Sequence, residues 1–60
     1  MTLNVGDRVT AVHNIGIFRP RVLQGTSGTI AGFTPAGEAE VLFDNDRVEL
    51  VQPDRLAPAA

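Results

Sequence analysis

Few residues in this sequence could do chemistry, and each stands without the partners its chemistry needs. His13 is the single histidine, and an imidazole that titrates near neutrality suits a general base. The nearest hydroxyls, Thr10 and Thr26, come with no third group to orient that base, so a catalytic triad lacks its members. A lone histidine at a strand end is read as a polar surface residue. One histidine and no cysteine also exclude a His-pair metal motif, a thiolate metal site and a disulfide. Gly25-Thr26-Ser27-Gly28-Thr29 is glycine-rich, but it has neither the lysine nor the following helix of a phosphate cradle, and reads as a turn. Asp44, Asp46 and Glu49 offer carboxylates to a cation. A calcium loop, however, needs further oxygens at fixed spacing and a closing glutamate after a glycine. Asp44-Asn45-Asp46 is the composition of a tight turn whose side chains bond their own backbone, and Glu38 and Glu40 are read as solvated. No catalytic residue, metal or cofactor is expected.

Charge narrows the range of partners. Seven acidic residues face five arginines, for a net charge of −2 with the histidine neutral. Residues 1–30 carry Arg8, Arg19 and Arg21 against Asp7, net +2. Residues 31–60 carry Glu38, Glu40, Asp44, Asp46, Glu49 and Asp54 against Arg47 and Arg55, net −4. Arg8, Arg19 and Arg21 form a candidate basic patch for nucleic acid, yet a net acidic chain is poorly suited to neutralising phosphates. Solvated surface arginines are the simpler reading.

The segment His13 to Leu23, HNIGIFRPRVL, departs most from what a loop should be. Ile15, Ile17, Phe18, Val22 and Leu23 make it strongly apolar. Two readings follow: the segment folds back to complete a small core, or it presents a contact surface to a second copy or to a partner protein. In the second reading Phe18 is the anchor, Ile15 and Ile17 extend the apolar contact, and Arg19 and Arg21 on either side of Pro20 form a charged rim.

These residues must be positioned by short strands. Sixty residues allow one small core and not two. No run of apolar residues is long enough for a membrane span, and no charged-then-apolar leader opens the chain. With the lack of cysteine, this fits a reducing cytoplasm. Six glycines and four prolines interrupt every window that could be an amphipathic helix. Turn residues at Val5-Gly6-Asp7, Gly25–Gly28, Thr34-Pro35-Ala36-Gly37 and Asp44-Asn45-Asp46 separate strands expected at Arg8 to Val12, Ser27 to Phe33, Glu38 to Phe43 and Arg47 to Val51. The third strand alternates cleanly, with Ala39, Val41 and Phe43 facing in. Gln52 to Leu56 reads as one helical turn, and 57–60 as a frayed tail after a single domain over 1–56. The expected core is Val9, Ile30, Val41, Phe43, Val48 and Leu56. The fold class is all-β: a small barrel of about five short antiparallel strands with one long loop after the first, its closure removing sheet edges.

Gly6-Asp7-Arg8-Val9, Gly25-x-x-Gly28-Thr29-Ile30, Val41-Leu42-Phe43-Asp44, Val48 and Leu56 together resemble the SH3-like small barrels of bacteria. That group includes KOW-type modules, the variable chain of ferredoxin-thioredoxin reductase, a photosystem I accessory subunit and the β-subunit tail of nitrile hydratase. The likeness spans roughly residues 4–56 and implies a fold more than a function, because these relatives do unrelated things. The chain is also similar to the type B dihydrofolate reductases, homotetramers around a pore, in Gly6–Val9, Gln24-Gly25, Ile30–Phe33 and Thr34-Pro35-x-Gly37. Their catalytic Val-Gln-Ile-Tyr corresponds to Val48-Glu49-Leu50-Val51. Here a carboxylate replaces the ligand-binding amide and a valine replaces the phenol, and their basic residue after the first strand is unmatched at Thr10, Ala11 and Val12. The apolar loop and the lack of any catalytic constellation lead to a non-catalytic binding or assembly module working through protein contacts, with a KOW-like nucleic-acid module and a pore-type reductase as alternatives.

Overall fold

The structure is a computed structural model that describes residues 2–16 and 18–59. Strands β1 (Arg8–Ala11), β2 (Ser27–Phe33), β3 (Ala39–Phe43) and β4 (Val48–Val51) are followed by a 3-10 turn (Pro53–Arg55) and β5 (Leu56–Pro58). All ladders are antiparallel and join one sheet in the order β4-β3-β2-β1-β5. The protein is therefore all-β, a small barrel-like fold with almost no helix. Among the described residues no ladder joins β4 to β5, so the sheet has two end strands, where the sequence points to full closure.

Strand limits follow from where backbone groups find partners. β1 stops at Ala11 because the Val12 N–H turns to Arg55 O at 3.0 Å. Ala57 and Pro58, expected in a frayed tail, belong instead to β5: Thr10 faces Ala57 and Val9 faces Pro58. The Ala59 N–H also donates to Arg8 O at 3.0 Å. β2 covers one side of β1 only, and the C-terminal strand supplies the other side. In β2 the register moves from Ile30↔Val41 to Gly32↔Glu40, a bulge that bends the strand and helps it serve both halves of the sheet.

The two hairpins share one design. Gly37 N donates to Thr34 O at 2.9 Å and Thr34 N to Glu38 O at 2.8 Å; Asp46 N donates to Phe43 O at 3.0 Å and Phe43 N to Arg47 O at 2.8 Å. Each is a three-residue loop whose last residue must take a positive φ. Gly37 does so at 89°, where glycine has no steric penalty, and Asp46 does so at 66°, the one positive-φ residue other than glycine among those described.

The core lies on one face of the sheet. Val9, Ala11, Ile30, Ala39, Val41, Phe43, Val51 and Leu56 are buried there. Gly28 lets β3 press against β2: a Cβ at this position would lie 2.7 Å from Leu42 O, 2.8 Å from Val41 Cγ1 and 2.9 Å from Phe43 Cα. Val48 is not in the core; it is 58% exposed. The ladder places Val48 opposite Leu42 and Glu49 opposite Val41, so Glu49 takes the inward position and Val48 the outer face.

Candidate functional site

The long loop between β1 and β2 divides into a buried base and an exposed tip. Ile15 and Val22 pair across it as an antiparallel bridge, with Ile15 N donating to Val22 O at 2.8 Å and Val22 N to Ile15 O at 3.3 Å. Both side chains join the core. Arg21 N adds a bond to Ile15 O at 2.7 Å. Asn14 Oδ1 accepts from Gln24 N at 2.7 Å, and Asn45 Nδ2 donates to Arg21 O at 3.1 Å, fastening the loop to the β3–β4 turn. The tip then carries Phe18 almost wholly in solvent, at 95% exposure. Gly16, Phe18, Arg19 and Arg21 line a shallow depression beside it. Of the expected contact residues, Phe18, Arg19 and Arg21 lie at this surface and Ile15 is core, while Ile17 lies outside the described residues. The segment thus completes the core through Ile15 and Val22, and it leaves Phe18 and Leu23 exposed.

Arg21 also reaches the sheet. Its Nε donates to Glu49 Oε2 at 3.0 Å, and the Glu49 side chain keeps 14% of its exposure. Glu49 is thus an inward-facing carboxylate held by a loop arginine, and its role becomes visible only once the register of β4 is known. Arg8 is engaged as well. Its Nη1 donates to Asp44 Oδ1 at 2.9 Å and its Nη2 to Asp44 Oδ2 at 2.7 Å, while Nη1 also reaches Thr29 Oγ1 at 3.1 Å. This fork holds the Asp44 carboxyl below its ordinary pKa, mainly through the hydrogen bonds from Arg8.

The candidate basic patch is thereby reduced. Two of its three arginines are each matched by a carboxylate, and Arg19 alone makes no ion pair among the described residues. His13 is exposed at the end of the first strand, near Asp54 and Arg55. No cluster of three metal-ligating side chains occurs among the described residues. At the positions matching the reductase signature, the Glu49 carboxylate is taken by Arg21 and Val51 is buried. No helix of the described residues is long and apolar enough to cross a membrane. The sequence reading missed one surface. Leu42, Val48 and Leu50 stand about half exposed on the outer face of β3 and β4, and only the strand register brings them together.

Comparison with family models, curated proteins and solved structures finds no match to the chain.

Proposed function

We propose that this protein is a non-catalytic, SH3-like binding or assembly module that engages a protein partner through the tip of its long loop. One observation carries the reading: Phe18 is 95% exposed on a loop whose base is fixed by the Ile15–Val22 bridge and the Arg21–Glu49 bond. An aromatic side chain on a loop whose base is already ordered has less ordering entropy left to lose on binding, and aromatic anchors dominate protein interfaces. Arg19 beside it supplies a polar rim, and Arg21 serves chiefly as the brace. A KOW-like nucleic-acid module draws less support, since Arg8 and Arg21 are already matched by Asp44 and Glu49.

The test is affinity capture with wild-type chain and Phe18→Ser, compared at equal thermal stability. A protein retained by the wild type and lost with the variant supports the reading. Equal retention by both, or by neither, overturns it.

A further inference from the structure

The charges of this chain are sorted along the sequence. Residues 8–37 hold Arg8, Arg19 and Arg21 and no aspartate or glutamate, whereas six of the seven acids lie in 38–60. The fold brings two of those acids back to the arginines, Asp44 to Arg8 and Glu49 to Arg21. Arg19 receives none. It is exposed next to Phe18 and makes no ion pair among the described residues. The loop tip is thus a positive pole on a chain of net charge −2.

The backbone that presents these two side chains is closely packed. Gly16 takes a φ of 119°, and a Cβ there would lie 2.6 Å from Arg19 O, 3.1 Å from Arg21 N and 3.2 Å from Pro20 Cα. The chain passes against its own 19–21 segment with no room for a side chain. Pro20 fixes its own φ and restricts Arg19 to extended backbone. Gly16, Phe18, Arg19 and Arg21 border one depression, so a phenyl ring and guanidinium groups share a recess over bare glycine backbone. An occupant must offer apolar surface to the ring and an anion to Arg19.

The surroundings limit how many anions the site takes. Asn45 ties the β3–β4 turn to Arg21 O at 3.1 Å, and in that turn Asp44 and Asp46 outnumber Arg47. A row of phosphates running on from the tip toward this turn meets carboxylates, and a single acidic side chain does not.

We propose that the partner engaged by this tip is an acidic protein segment, with an aspartate or glutamate held by Arg19 and a neighbouring apolar side chain packed on Phe18. The inference rests on the reading that Phe18 is the anchor and adds to it the sign of the partner's charge. Because Arg19 is exposed, it contributes more to selectivity than to tightness.

The experiment pans displayed random peptides against the immobilised full chain and measures the recovered peptides by fluorescence anisotropy at low and high salt. Each variant is first matched to the wild type by circular dichroism. The recovered peptides are expected to carry an acid beside apolar residues and to be lost with Phe18→Ser. Arg19→Gln should weaken them about two- to fivefold, Arg19→Glu further, and high salt should narrow the gap between wild type and Arg19→Gln. Peptides that need Phe18 but show no acidic bias, or bind Arg19→Glu as tightly as wild type, overturn the acidic partner and leave Phe18 as the anchor. Peptides that bind Phe18→Ser equally well, or no enriched peptide at all, remove the anchor and this inference with it. An oligothymidylate that binds more tightly than any peptide and is lost with Phe18→Ser gives the tip to nucleic acid and overturns the proposal.

Discussion

The guanidinium of Arg21 sits 3.0 Å from the Glu49 carboxylate and so links the long loop to the end strand β4. The two residues are far apart in sequence, and their bond decides where the loop tip stands relative to the sheet. It also gives an inward-facing carboxylate on β4 the counter-charge it needs near the core.

Arg21 is half exposed and Glu49 largely covered, so the pair is worth more than a fully exposed bridge and still remains modest. Its coupling should be about 1 kcal/mol. A double-mutant cycle of Arg21→Ala and Glu49→Gln, read by urea denaturation, measures it. Additive effects of the two substitutions would mean that the bond does not hold the loop.

Asp46 and Gly37 occupy the same place in two hairpins of like design, which permits a paired test. Asp46→Gly relieves the positive φ and should stabilise the protein by about 0.5–1 kcal/mol. Gly37→Ala should destabilise it by about 1 kcal/mol. Thermal melts of the two variants should move in opposite directions; a common direction would show that the backbone conformation does not govern these turns.

The alternation of β3 is legible in the sequence because Glu38 and Glu40 alternate with Ala39 and Val41, and the limits of β2 follow from the glycine turn before it and the proline turn after it. β4 is harder to read. Val48 and Val51 are three apart and cannot share a strand face, so one of them had to be outside. The choice rests on the three-residue turn, which sets Glu49 opposite Val41, and no local pattern favours burying a glutamate over a valine. The loop resists reading for a similar reason. Ile15 and Val22 enter the core because a bridge pairs them, whereas Phe18 and Leu23 have the same composition signal and end in solvent. Ala57 and Pro58 lack strand character in themselves, and β1 recruits them.

Gly28 should tolerate no side chain. Two of the three atoms that a new Cβ would meet are backbone, which cannot rotate away. Gly28→Ala is expected to cost about 2–3 kcal/mol through separation of β2 from β3. Denaturant titration checks this, and a loss below about 0.5 kcal/mol would show that the strands can move apart freely.

Arg8 and Asp44 set a pH response. Asp44 has a lowered pKa in the folded state, so its contribution is present above the unfolded-state pKa and is lost as pH falls through the folded value, in the acid range. In an NMR titration, Arg8→Gln should move the Asp44 carboxyl back up toward its ordinary range. No movement would mean that the fork does not form in solution. High salt should narrow the difference, since both side chains are half exposed.

The pairing of Val9 with Pro58 means that β1, made before the other strands of the sheet, waits for β5, made after them, before its second ladder can form. During synthesis the β2–β3 and β3–β4 hairpins can assemble in turn, each from adjacent segments, while one side of β1 stays open. Completion of the sheet is therefore tied to emergence of residues 56–58, and a chain stalled before them would present an unpaired strand to whatever lies nearby.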